Sequence, residues 1–284
     1  MRAGLFPGQG VDAATLHAAL ADAPLLERAN EVLGFDLSEA IERRLDRARP
    51  TLPTDLAQPA LFVAGLAAHA EQTEPFHVYA GHSVGEYTAL AAAGALSPED
   101  GLKLVCARGR AMGDAGRASP GGMAAVKGLT AGELADVCAR SGTVIANDNS
   151  PVQLVIAGPD DALSEAARMV HAAGGRALLL PVEGAFHTDA MAPAAEALRD
   201  ALDHTRVALP RVPVVSNVTA RPYRAPGEVR KLLVRQLTER VRFRESIEWM
   251  ERAGVTDFVD LGPGRVAGKL AAATVTSGRG AVHA

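Results

Sequence analysis

The stretch Gly81-His82-Ser83-Val84-Gly85 constrains this chain more than any other. Residues 77–80 read as a short strand, and residues 86–93 as a helix, with this tight turn between them. A serine on such a turn stands clear of the backbone, and flanking glycines let the helix pass close to the strand; this is the G-x-S-x-G elbow pattern. The N–H groups that open the following helix aim back at the serine, where they can stabilise an oxyanion. An ordinary strand–turn–helix connection uses the same glycines, so the reading rests on pattern and context together. A strand, a glycine turn and a helix in succession predict an α/β sheet with a site at the strand's C-terminal end.

The rest of the chain divides in rhythm. Residues 2–6 read as a buried strand that ends in Pro7-Gly8-Gln9-Gly10, and helical periodicity follows at 14–20, 25–33, 37–44, 55–70 and 98–112. The middle changes to strand 122–126, helix 131–141, strands 143–147 and 153–157 around Asn149-Ser150-Pro151, helix 160–173 and strand 176–181. That order, β-α-β-β-α-β, predicts a ferredoxin-like unit. Helices at 189–202, 228–238 and 245–253, and strands at 212–216 and 257–260, return to the first rhythm; the small polar tail, 276–284, is expected to be mobile. The expected fold class is α/β: an α/β-hydrolase-like large domain of residues 1–120 and 187–284, with a ferredoxin-like small subdomain of residues 121–186 inserted and the site in the cleft between them.

Composition excludes several functions. With 284 residues, 48% of them hydrophobic, the chain can bury a substantial core. Its longest apolar runs, such as 59–68, are too short to span a bilayer, and the N-terminus lacks a secretory stretch, so a cytoplasmic protein away from membranes is expected. Two cysteines, Cys106 and Cys138, make neither a disulfide framework nor a zinc site, so no metal is expected. A formal charge of −4 carries no nucleic-acid signal.

A serine nucleophile needs a base. Of eight histidines, His17, His69 and His171 lie in helical patterns and His283 in the tail. His187 follows Gly184-Ala185-Phe186 where the middle segment rejoins the first, a position that can face a cleft, although a lone histidine often serves structure alone. Arg108 lies in the helical run after the elbow helix; it can turn back towards Ser83 and grip a carboxylate through two parallel hydrogen bonds, or it can be a solvated helix arginine.

Seven ordered segments resemble one family, the malonyl-coenzyme A:acyl carrier protein transacylases and the acyltransferase domains of polyketide synthases. They are Phe6-Pro7-Gly8-Gln9-Gly10, Ala57-Gln58-Pro59-Ala60-Leu61-Phe62, Gly81-His82-Ser83-Val84-Gly85-Glu86-Tyr87, Arg108-Gly109-Arg110-Ala111-Met112, Asn149-Ser150-Pro151, Gly184-Ala185-Phe186-His187 and Leu261-Gly262-Pro263-Gly264. The resemblance implies Ser83 as nucleophile and His187 as its base, oriented by a backbone carbonyl. It implies an oxyanion hole from the N–H groups of Gln9 and Val84, and substrate binding by Arg108, Phe186 and His82. Phe186, where relatives selective for methylmalonyl carry serine, implies malonyl. The implied partners are malonyl-coenzyme A and an acyl carrier protein, with the coenzyme A thioester as substrate and no tightly bound cofactor.

Two segments depart from the family pattern. Val11-Asp12-Ala13 replaces a usual Ser-Gln, and in Gln236-Leu237-Thr238-Glu239-Arg240-Val241-Arg242-Phe243 an arginine and a phenylalanine stand for the usual proline and tryptophan. The second segment is the one implied to hold the histidine. A serine thioesterase, an inactive scaffold that docks carriers, and a transferase serving a malonate decarboxylase share much of this pattern. Between Arg221 and Arg244 eight basic residues meet only Glu228 and Glu239, a run that can steer an acidic carrier or the coenzyme phosphates.

Overall fold

The computed structural model describes residues 1–21, 23–45, 52–275 and 281–283. Its strands are β1 (Arg2–Phe6), β2 (Val78–Gly81), β3 (Gly122–Lys127), β4 (Val144–Ser150), β5 (Gln153–Gly158), β6 (Arg176–Leu179), β7 (Val214–Val215), β8 (Asp257–Asp260) and β9 (Ala281–His283). They form two sheets.

The first sheet is parallel throughout, in the order β7-β2-β1-β8-β9. Its central strands are buried on both faces, as a parallel sheet covered by helices requires. Ala3, Leu5, Val78 and Ala80 join a cluster with Phe243, Ile247, Met250 and Ala267, while Phe6 and Tyr79 belong to the main core on the opposite face. Helix Pro98–Ala118 packs along helix Thr54–Ala70 in that main core. The second sheet is antiparallel, ordered β4-β5-β3-β6, with helices Ala131–Ser141 and Asp160–Ala172 packed on one face. No helix among the described residues is long and apolar enough to cross a membrane.

Several elements differ from the sequence expectations. The helix expected at 98–112 continues to Ala118, and the one expected at 189–202 opens with a 3-10 turn, Asp189–Met191, before helix Ala192–Asp203. The strand expected at 212–216 keeps ladder pairing only at β7. Helix Val266–Ala272 was not anticipated. Of the tail expected to be mobile, residues 276–280 and 284 lie outside the described residues, while β9 pairs in parallel with β8. Asp12, part of a departure from the family pattern, caps helix Ala13–Ala18 by accepting the Thr15 N–H.

The elbow depends on backbone contact. A Cβ on Gly81 would lie 1.9 Å from the Gly85 carbonyl carbon, and one on Gly85 would lie 2.3 Å from the Phe6 carbonyl oxygen. Strand, turn and helix therefore touch main chain to main chain, which no other residue permits. Gly81→Ala should destabilise the protein by at least about 3 kcal/mol, the upper end of ordinary overpacking. Gly227→Ala, where an added methyl meets nothing within 4 Å, should stay within about 1 kcal/mol of the native chain. Denaturant unfolding of both variants measures this, and equal stabilities would contradict it.

Candidate active site

Ser83 occupies the left-handed region, with φ 51°, between β2 and helix Gly85–Ala92. For a residue with a side chain this conformation costs about 1–3 kcal/mol and persists only where neighbours over-determine it. Here they do. The Ser83 N–H donates to Asn217 Oδ1 at 2.8 Å, and Gln236 Nε2 donates to the Ser83 carbonyl at 3.0 Å. Asn217 Nδ2 also donates to the Gly81 carbonyl at 2.6 Å, so both sides of the turn are clamped.

His187, also left-handed with φ 61°, places Nε2 2.9 Å from Ser83 Oγ. Its Nδ1 lies 2.6 Å from the Gln236 carbonyl oxygen. A carbonyl only accepts, so Nδ1 carries the proton and bare Nε2 accepts from the serine hydroxyl. Burial first, and then the nearby Arg108 charge, pushes the His187 pKa down to about 3. The ring is a neutral base at neutral pH.

The departures near Gln236 leave this carbonyl in place. Val241 N–H donates to the Ala146 carbonyl and Asp148 N–H to the Val241 carbonyl, both at 2.8 Å, so the segment is tied to β4. Phe243 is fully buried and sets its ring edge-on to His82, with centroids 5.3 Å apart.

Arg108 is 1% exposed, at the middle of helix Pro98–Ala118. Its Nη1 donates to Gln58 Oε1 at 2.7 Å, and its Nη2 donates to Gln236 Oε1 at 3.0 Å and to Ser83 Oγ at 3.1 Å. Its Nε has no hydrogen-bond partner, and no carboxylate oxygen lies within 4 Å of its nitrogens, among the described residues. Burial lowers its pKa. This is a buried cation held by two neutral carboxamides and a hydroxyl.

The remaining expected residues surround the same pocket. The loop containing Gln9 is anchored where the His82 N–H donates to the Phe6 carbonyl at 2.9 Å, and the backbone N–H groups of Gln9 and Val84 have no protein acceptor among the described residues. Gln9 Oε1 accepts from Thr54 Oγ1 at 2.8 Å. His82 places Nε2 2.7 Å from Asn149 Oδ1. Phe186, 5% exposed, lines the pocket beside His187. Met123, Asn147, Leu180 and Val182 close the pocket from the second sheet and its exit loop. No group of three or more His, Cys, Asp or Glu side chains among the described residues could hold a metal ion.

Sequence reasoning missed five residues that hold this arrangement: Gln58, Asn217, the side chains of Gln236 and Glu86, and Tyr223. Glu86 is fully buried, accepts from Tyr223 Oη, from Gln236 Nε2 and from the Asn217 N–H, and is pushed up to about 7 chiefly by burial. A glutamine in the apolar run 55–66 was the one local signal, since a buried amide must find partners. The basic run at 221–244 is partly paired. Arg235 pairs with Glu239 inside the run, while Glu245 and Asp148 from outside it pair with Arg242 and, bidentately at 2.9 and 2.8 Å, with Arg244, so part of its charge is offset.

A serine on a strained elbow, a neutral imidazole bonded to it, and backbone N–H groups beside it can form and resolve an acyl-enzyme, which is the chemistry of a serine acyl-transfer protein. The sequence profile of the acyl transferase domain matches residues 7–279, and the chain belongs to that family. It is 42% identical over 281 residues to the polyketide biosynthesis protein ThaF of Burkholderia thailandensis, covering 94% of this chain and 23% of that protein. The chain thus spans about a quarter of that relative's length. It is 37% identical to the malonyl CoA-acyl carrier protein transacylase of Haemophilus influenzae, covering 92% of this chain and 88% of the relative. The crystal structure of acyl-carrier-protein S-malonyltransferase from Burkholderia pseudomallei superposes with TM-score 0.89 at 34% identity, covering 100% of this chain and 95% of that one.

The neutral state of His187 has a pH signature. An ordinary histidine in the unfolded chain takes its proton near pH 6.5, whereas His187 in the fold resists until about pH 3. Between those values the unfolded state binds the extra proton, so this residue's contribution to stability falls as pH falls. Relative to His187→Gln, which cannot titrate, the native chain should lose stability below pH 6.5, by up to about 1.4 kcal/mol per pH unit. Denaturant titrations of both proteins from about pH 7 to about pH 5 check it, and a constant difference would contradict it.

Proposed function

We propose that this chain transfers a malonyl group from coenzyme A to the phosphopantetheine thiol of an acyl carrier protein, through an acyl-Ser83 intermediate. The observation that carries this reading is Arg108, a guanidinium buried against Ser83 with no carboxylate partner among the described residues. A malonyl group brings the missing carboxylate. Relatives named as malonyl transferases to acyl carrier protein, over nearly the full chain, support the same substrate and acceptor.

The steps follow from the geometry. Ser83 Oγ attacks the thioester carbon while His187 Nε2 takes its proton. The N–H groups of Gln9 and Val84 receive the developing oxyanion. Collapse expels the coenzyme A thiolate, which takes the proton from His187 and leaves malonyl-Ser83. The carrier thiol then gives its proton to His187, attacks the ester carbon, and the serine leaves with that proton. Gln236, through its carbonyl, holds the imidazole in the tautomer both halves need.

Phe186 lines the pocket with Ser83 and His187, and so large a ring there supports malonyl over the bulkier methylmalonyl. His82, paired with Asn149, shapes the pocket floor beside Ser83. The two sheets support a division into an α/β-hydrolase-like unit, residues 1–120 and 187–284, and a ferredoxin-like unit, residues 121–186, with the pocket between them. The reading includes a cytoplasmic location and no tightly bound cofactor.

Intact-mass measurement tests it. Malonyl-coenzyme A should add one malonyl unit to the native chain and none to Ser83→Ala. Arg108→Ala should stay folded and lose malonyl transfer by roughly 30- to 5,000-fold, the usual result of removing one partner of a buried charge pair. Its relative activity with acetyl-coenzyme A should rise. Equal loss with both substrates would make Arg108 structural, and a native chain that prefers acetyl would overturn the substrate.

A further inference from the structure

We infer that Glu86 is a positioning residue for malonyl selection, acting through the side chain of Gln236 on Arg108. The inference rests on the reading of Arg108 given above. Glu86 and Arg108 do not touch; the carboxamide of Gln236 stands between them, with Nε2 donating to Glu86 Oε2 and Oε1 accepting from Arg108 Nη2 at 3.0 Å.

A carboxamide can sit either way round, and what faces it decides which. Glu86 offers two acceptor oxygens. Oε1 accepts from the Asn217 N–H at 3.2 Å and from the Tyr223 hydroxyl, Oε2 accepts from Gln236, and the Ser216 hydroxyl also bonds the carboxylate. An acceptor there draws the NH2 of Gln236 towards it and turns the carbonyl oxygen to the guanidinium. The same NH2 reaches the Ser83 carbonyl at 3.0 Å, so one orientation serves the elbow and the arginine together. The arrangement also keeps the carboxylate one residue away from Arg108. A direct ion pair would occupy the guanidinium and leave nothing for an incoming carboxylate.

Glu86→Gln distinguishes this role from simple packing. The Asn217 backbone N–H cannot turn, so the new carboxamide must keep its oxygen there and present its NH2 to Gln236. The NH2 of Gln236, which also reaches the Ser83 carbonyl at 3.0 Å and Asn217 Oδ1 at 3.3 Å, then meets a donor in place of its charged acceptor, and the displaced carboxamide carries its oxygen off the guanidinium. Arg108 loses a fixed partner and with it the geometry that receives malonyl.

The experiment measures kcat/KM for Ser83 acylation by malonyl-coenzyme A and by acetyl-coenzyme A, in the native chain and in each variant, at about pH 8, where the Glu86 carboxyl is ionised. For Glu86→Gln the malonyl-to-acetyl ratio should fall roughly 10- to 150-fold, the worth of a hydrogen bond to a charged group, with the change mainly in KM. Tyr223→Phe, which removes a donor to Glu86 without displacing Gln236, should leave the ratio within about threefold, well below that loss. If Glu86→Gln does not fold, Gln236→Met removes the same link and should lower the ratio as strongly. Equal losses for both substrates would reduce Glu86 to packing, and a higher ratio would mean that it acts on Arg108 by charge alone; either result overturns the inference. A native chain that takes no malonyl would instead overturn the proposed function, and the two failures are distinct.

Discussion

A guanidinium buried without a carboxylate is the constraint on which this site depends. Removing a charge from water is costly unless the fold supplies partners. Among the described residues Arg108 hydrogen-bonds to neutral ones, the carboxamide oxygens of Gln58 and Gln236 and the hydroxyl of Ser83, and lies over the Tyr87 ring at 5.4 Å. Its position follows from the packing of helix Pro98–Ala118 along helix Thr54–Ala70, which brings Gln58 opposite. The same charge contributes to keeping His187 neutral, and it lies close enough to Ser83 Oγ to favour an alkoxide there. In the proposed reaction, substrate choice, base strength and nucleophile activation would therefore share one cation.

The second constraint is backbone strain at the two residues proposed to react. Ser83 and His187 both hold left-handed conformations. Neither is supported by its own sequence neighbours alone. Asn217 and Gln236 clamp the serine from one side, and the Gln236 carbonyl fixes the histidine from the other. The main-chain contact at Gly81 and Gly85 leaves the elbow no room to relax. Strain of this kind keeps a nucleophile exposed while its surroundings stay close-packed.

What could be read from sequence follows how local each feature is. Ser83 and its glycines are adjacent in the chain, so the elbow was legible as a strand, a turn and a helix. His187 and Arg108 became convincing only with the ordered motifs around them. The extension of helix Pro98–Ala118 past Met112 runs through Gly113 and Gly116, residues of low helix propensity. Gly116 is a contact point set by tertiary packing, where a Cβ would lie 2.0 Å from the Glu183 carbonyl oxygen. Gln236 reaches Ser83 across 153 positions, and Tyr223 reaches Glu86 across 137. No period or spacing encodes contacts that distant. The basic run looked stronger in sequence than in space for the same reason: Asp148, which pairs with Arg244, is 96 positions away.

The most direct measurement is a crystal structure of the native chain acylated with malonyl at Ser83. The account predicts the malonyl carboxylate within hydrogen-bond distance of the Arg108 guanidinium, in a side-by-side pair, with the ester carbonyl directed at the N–H groups of Gln9 and Val84. A carboxylate turned out of the pocket, with Arg108 still bonded only to Gln58 and Gln236, would contradict it.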